Sequence, residues 1–206
     1  MTDVPRTDRQ PRRRLDPDAR RSAILDAAAA TFAEHPYGEV TMSAISSRAG
    51  ASDALLYRYF GGKEDLYAEV VRLAIRDLGE RQTAALQALP AGVSVRDRLR
   101  EAVLVYLDHI ADHPAAWAMP LRTPGAEPSA VAQLRVEARR RYVERLRTLL
   151  SPSAELRHEY ALWGYYGFLD AACLLWVEHG CPEGERWALV DAALGALEGA
   201  LGDWAA

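Results

Sequence analysis

The stretch from Val40 to Leu66 constrains this chain more than any other, because it reads as two short helices, a tight turn and the start of a third helix. Thr41 is placed to cap a helix running from Met42 to about Ala49, its side-chain oxygen accepting from a backbone N–H in the first turn. Within that helix Met42, Ile45 and Ala49 recur at three- and four-residue spacing and form one buried stripe. Gly50 supplies the left-handed backbone that ends a helix without a Cβ clash. Ser52 then caps a helix from Asp53 to about Phe60, with Leu56, Tyr59 and Phe60 on or beside its buried face. Asp53, Ala54, Leu55 and Arg58 are left nearer the outside. A helix with a small, polar first half and an arginine one turn on fits the major groove of DNA. After Gly61 and Gly62, Lys63 opens a third helix, where the free N–H groups and the helix dipole favour a phosphate. Lys63 is the only lysine; every other position counted with it is an arginine.

Ala23 to Phe32, Val40-Thr41, Ile45 to Gly50, Ser52, Leu56-Tyr57, Phe60 and Lys63 to Leu66 together resemble the DNA-binding half of the TetR family of bacterial regulators, without a gap from about residue 20 to 67. Ala54 stands where many members have glycine, a change a helix accepts. The resemblance implies an all-α fold, with three N-terminal helices for DNA and about six more for ligand binding and dimerisation. It divides the chain into a basic arm over residues 1–15, a helix-turn-helix domain over 16–67 and a helical body over 68–206. It implies that Thr41, Ser52, Tyr57, Tyr59 and Lys63 bind phosphates, and that Ser43, Asp53, Ala54, Leu55 and Arg58 face base edges.

Charge is asymmetric in the direction this requires. Of 25 Lys and Arg and 29 Asp and Glu, ten basic and eight acidic residues lie up to Lys63, against fifteen and twenty-one after it, or +2 and −6. The asymmetry is modest, so the nucleic-acid reading rests on where the basic groups sit. The segment Arg6 to Arg14, with Arg12, Arg13 and Arg14 among prolines and polar residues, reads either as an arm reaching phosphates or the minor groove, or as a solvated tail. No run of about eighteen uncharged apolar residues occurs and the first residues are not apolar, so a cytoplasmic location is expected. Cys173 and Cys181 make no disulfide framework and no zinc spacing.

Proline and glycine divide the rest into helices. The spacing predicts a first helix from Asp16 or Pro17 to His35-Pro36 and a long connecting helix from Lys63 to about Leu89. Others follow from Ser94 to Asp112, Ala115 to Met119, Pro128 to Leu150, Ser153 to His179 and Glu183 to Asp203. Pro120, Pro124 and Gly125 read as breakers that leave a flexible loop after Met119. In the last helix Trp187, Val190, Leu194, Leu197, Leu201 and Trp204 form an apolar seam. The helix before it is apolar nearly all round from Tyr160 to Val177, with Gly164, Gly167 and Ala171 permitting close approach. The expectation is that these two helices form a homodimer interface, as a two-headed reader of a palindromic DNA operator needs; the alternative is that they close a monomer core.

A small-molecule effector is the second expected partner. Tyr106, His109, Trp117, Met119, Trp163, Tyr166, Asp170, Cys173 and Trp176 are the large or polarisable residues on helices that should face inward, and suit a flat or hydrophobic molecule. Each also reads as plain core. Asp170, a carboxylate in an apolar helix, requires a partner, either a ligand group or an internal arginine or tyrosine. His109 and His113 have the spacing of a zinc pair, but Pro114 ends their helix and a helix-capping role competes; His179 and Cys181 are a second such pair. No nucleophile elbow, phosphate loop or dinucleotide fingerprint occurs, so neither catalysis nor a cofactor is expected. The expectation is a homodimeric repressor released by its ligand. The alternatives are an activator with the same head, or a helical metal- or small-molecule-binding protein or enzyme whose DNA-binding-like domain is unused.

Overall fold

The computed structural model describes residues 16–151 and 155–202, and among them the secondary structure is helical throughout. The helices are α1 (Pro17–Glu34), α2 (Met42–Arg48), α3 (Asp53–Tyr59), α4 (Lys63–Ala88), α5 (Val95–Asp112), α6 (Pro114–Arg122), α7 (Ser129–Leu150), α8 (Leu156–Glu178) and α9 (Arg186–Leu201). The arginine-rich segment 6–14, Ser153, Asp203 and Trp204 lie outside the described residues. No described helix is long and apolar enough to cross a membrane.

Two cores organise the chain. The first gathers Ile24, Leu25, Ala28 and Phe32 of α1 with Val40, Met42, Ile45, Leu56, Phe60 and Leu66, and makes the head. At seven residues each, α2 and α3 are too short to persist alone, so burial of Met42, Ile45 and Leu56 in this cluster holds them. The second core joins α5, α7, α8 and α9 through Leu99, Leu107, Val143, Leu162, Leu169 and Leu194 and makes the body. Helix α4 starts in the head and packs on α1, α5 and α7. A small cluster of Ala68, Val71 and Val131 fastens it to α7.

Two local expectations are corrected. Helix α6 continues through Pro120 to Arg122. A proline there removes one helical hydrogen bond. The fully buried Ala118 and the docking of Trp117 on Tyr106 hold the turn nevertheless, and the Thr123 N–H closes it on the Met119 carbonyl at 3.0 Å. The last helix opens with a 3-10 turn at Glu183–Glu185 before α9.

Candidate nucleic-acid interface and ligand cleft

The head is built from caps and short tethers. Thr41 Oγ1 accepts from the Ala44 N–H at 3.1 Å and Ser52 Oγ from the Leu55 N–H at 3.3 Å, each starting its helix where the sequence indicates. Gly50 adopts φ +59°, which sends the chain from α2 into α3. The buried Ser46 hydroxyl donates to the Asp53 carboxylate, tying the first turn of α3 back onto α2. Arg48 forks onto both oxygens of Glu34 at 2.6 and 2.8 Å, and Arg21 pairs with Glu69 at 3.1 Å.

Thr41, Ser43, Ser52, Asp53, Ala54, Tyr57 and Arg58 are exposed, and Leu55, Tyr59 and Lys63 half-buried. Tyr57 stands out at 56% exposure, and Arg58 pairs with no carboxylate among the described residues. Besides the capping Thr41 and Ser52, three members of the set have internal partners: Asp53 has Ser46, Tyr59 donates to the Pro17 carbonyl at 3.4 Å, and Lys63 points inward. Lys63 Nζ donates to the carbonyls of Tyr37 and Val40 at 2.9 and 3.0 Å and lies 4.3 Å from the centre of the Tyr37 ring.

A cleft of about 1360 Å³ lies between head and body, bounded by α1, α4, α5, α6, α7 and α8. Tyr106, His109, Trp117, Met119, Tyr166 and Asp170 all border it. Trp163, Cys173 and Trp176 do not. Trp163 lies on the outer face of α8 and donates to Glu159 at 2.9 Å, Cys173 is fully buried in the body core, and Trp176 is buried with its N–H on the Pro182 carbonyl at 3.1 Å. Successive helical residues turn by about 100°, so Tyr166 and Asp170 fall on the flank of α8 between core and surface. Trp163 passes beyond that flank and the other two fall short of it. Spacing missed Gln82, Arg139 and Tyr142, which also border the cleft. Arg139 sits in a run of arginines that reads as solvated charge.

Several polar groups of the cleft meet at its body end. Trp117 Nε1 donates to the Tyr106 hydroxyl at 2.8 Å. Arg139 Nη2 donates to Asp170 at 2.9 Å, and its guanidinium carbon lies 4.7 Å from the centre of the Tyr166 ring. The internal-arginine reading of Asp170 is therefore the one observed. Burial outweighs Arg139 and pushes the Asp170 carboxyl up to about 6. His109 Nδ1 lies 2.8 Å from Arg81 Nη2 and must accept there, which puts the ring proton on Nε2. Burial, then Arg81 and His113, push His109 down to about 4. Among the described residues no three metal-ligating side chains converge, and His179 Nδ1 lies against Glu185 at 3.0 Å.

The seam of α9 needs correction. Val190, Leu194, Leu197 and Leu201 are buried inside the subunit, so its apolar periodicity reports the body core. The exposed apolar surface lies on the opposite faces of the same helices. On α8 it comprises Tyr160, Gly164, Gly167, Ala171 and Leu175, and on α9 Trp187, Ala188, Ala192, Gly195 and Gly199. Tyr160 is 68% exposed and Trp187 57%.

Comparison with known proteins agrees with this architecture. Residues 24–70 match the family model described as bacterial regulatory proteins, tetR family. The chain is 46% identical over 67 residues to the HTH-type transcriptional regulator BetI of Agrobacterium fabrum, 32% of each protein. It is 32% identical over 124 residues to the HTH-type transcriptional activator FasR of Mycolicibacterium smegmatis, 60% of this chain and 55% of that one. These matches span about a third and about half of the curated relatives' lengths. Over nearly the whole chain the fold is that of a TetR-like transcriptional regulator from Rhodococcus sp. RHA1 (TM-score 0.70, 28% identity, 92% of this chain and 100% of that one). The transcriptional regulator FadR from Bacillus subtilis, solved in complex with stearoyl-CoA, has the same fold (TM-score 0.67, 20% identity, 88% of this chain and 98% of that one). The head thus matches the model of the tetR family of bacterial regulatory proteins over residues 24–70, and the chain as a whole has the fold of a TetR-like transcriptional regulator.

Proposed function

We propose that the protein is a transcriptional repressor that binds a palindromic DNA operator as a homodimer and leaves it when a small, mainly apolar molecule enters the cleft. The observation that carries this reading is the exposure on α2 and α3 of Thr41, Ser43, Ser52, Ala54 and Tyr57 together with Arg58, a guanidinium without a carboxylate partner among the described residues. Phosphates would take the Thr41, Ser52, Tyr57 and Tyr59 hydroxyls and the start of α4 at Lys63. Base edges would meet Ser43, Ala54, Leu55 and Arg58, with Arg58 forking onto a guanine. Asp53 contributes by fixing the angle of α3 through Ser46.

Two heads are needed to read two half-sites about 34 Å apart. The small, aromatic-flanked outer faces of α8 and α9 support pairing of two copies there, since an apolar surface of this kind seldom stays open to water. Effector binding requires only that ligand and operator favour different conformations. The stearoyl-CoA complex of FadR supports a long apolar ligand in this fold. FasR, named an activator, supports a second reading in which the same head activates transcription.

Selection of bound duplexes from a random DNA pool, repeated at two salt concentrations, tests the proposal. Enrichment of one inverted repeat supports the dimeric reader, and its absence above a salt-sensitive background refutes it. A reporter behind the selected repeat, with and without the protein, gives the sign of regulation.

A further inference from the structure

We propose that the body end of the cleft is a head-group site for a carboxylate, held by Arg139 and Tyr106, in a ligand whose apolar chain lies along α4. The inference rests on the reading of the cleft as the effector site and specifies which end of the effector goes where. Two hydrogen-bond donors at this end have no acceptor among the described residues. The Tyr106 hydroxyl accepts from Trp117 and donates to nothing, and Arg139 Nε is buried without a partner. They share neighbours, since Tyr106 lies within electrostatic reach of Tyr166 and Asp170, and Arg139 touches both. Unpaired buried donors are costly, and an acceptor bound between them recovers that cost.

Charge selects an anion for this place. On the wall made by α7 and α8, Arg135, Arg139, Arg141 and Arg145 outnumber the carboxylates Glu137, Glu144 and Asp170, and Arg141 and Arg145 have no ion-pair partner among the described residues. An ammonium seated against Asp170 would lie beside the Arg139 guanidinium and be repelled. A carboxylate suits the guanidinium fork, and Tyr166 already stacks one face of that fork and holds it in place. As the ligand carboxylate takes over Arg139, Asp170 loses its partner. Burial already favours the neutral form of Asp170, so the carboxyl takes a proton from solvent and no buried charge is left unpaired.

The remainder of the cleft suits a chain. Its lining on α4 runs from Tyr67 to Gln87, about 30 Å at 1.5 Å per residue, and includes Val71, Ala74 and Leu78, with Leu134 and Ala138 on α7. An extended aliphatic tail can follow this length of helix, whereas a compact ring system meets only part of it.

Displacement of a neutral naphthylamine probe from the purified full-length protein decides the matter, using dodecanoate, dodecanol and dodecylamine as competitors with one tail and three heads. Dodecanoate is expected to displace the probe at about tenfold lower concentration than the other two, as one charge-assisted pair provides. Asp170→Asn removes the competing carboxylate without changing its shape and is expected to tighten dodecanoate several-fold, leaving dodecanol unchanged. Adding Arg139→Met in that background abolishes the preference for the acid. Equal affinity of the three competitors, or a preference for the amine, overturns the head-group site while leaving an apolar effector cleft in place. Failure of the probe and of all three competitors to bind overturns both readings.

Discussion

The head and the middle of α4 are adjacent in the chain and opposite in construction. In the head, helices of seven residues are held by one continuous cluster, and the side chains that aim α3 are tied by the Ser46–Asp53 hydrogen bond and by Thr41 and Ser52. From Arg72 to Arg81 no α4 side chain is buried, and every residue from Val70 to Glu80 borders the cleft, so open space reaches round more than one side of the helix. A DNA-reading surface depends on fixed geometry, and dense packing provides it. A helix that must answer a ligand needs contacts the ligand can add, and sparse packing leaves room for them.

The largest test of that difference is truncation of an equivalent side chain in each region. Leu56→Ala in the head should cost about 2 to 5 kcal/mol, because the leucine is fully buried, whereas Leu78→Ala in α4 should cost under about 1 kcal/mol. Urea denaturation measures both, and equal losses would erase the contrast. Next comes Arg58→Ala, which should relax sequence preference by about 1 to 3 kcal/mol at one base pair and leave the unfolding midpoint unchanged. An unaltered preference in a repeated duplex selection would remove Arg58 from the reading surface. Thr41→Ala should cost about 1 kcal/mol through the lost cap on α2. Thermal unfolding would detect it, and restoration by Thr41→Ser would assign the loss to the hydroxyl.

The smallest effect is a pH dependence in which two cleft residues oppose one another. His109 is held near 4, below the about 6.5 of an exposed histidine, so the unfolded chain takes up this proton first. Acidification through that interval therefore destabilises the fold. Asp170 is raised to about 6, so the folded protein takes up its proton first, and acidification below 6 stabilises the fold through this group. His109→Gln should flatten the loss between pH 7 and 5. Asp170→Asn should raise stability at pH 7 more than at pH 5. Denaturation midpoints at the two pH values check both signs.

The head was legible in the sequence because its determinants are local. Thr41, Gly50 and Ser52 each act within a few residues, and the stripe of Met42 and Ile45 faces the only core it can reach. The body was less legible because its decisive contacts are distant. Arg139 meets Asp170 across 31 positions, which no spacing rule connects. Helix α8 is apolar nearly all round, so periodicity could not say that Tyr166 and Asp170 border the cleft while Cys173 and Trp176 enter the core. The seam of α9 was a true periodicity assigned to the wrong neighbour, since a buried stripe does not state whether its cover is another helix of the same chain or a second copy. Helix α6 ran past Pro120 because packing of Ala118 and Trp117 outweighed one absent hydrogen bond.

The clasp of Lys63 on the Tyr37 and Val40 carbonyls makes the only lysine of the chain a natural gauge of whether the head is shut. A lysine-specific endoprotease has one place to cut, and the cut separates residues 1–63 from 64–206, nearly the division between head and body. While the ammonium is engaged and the backbone around it stays helical, the bond resists. When the head opens, the chain divides once into two fragments of very different size. The rate of that single scission, read on a gel with and without DNA or a candidate effector, reports the opening of the head without any label.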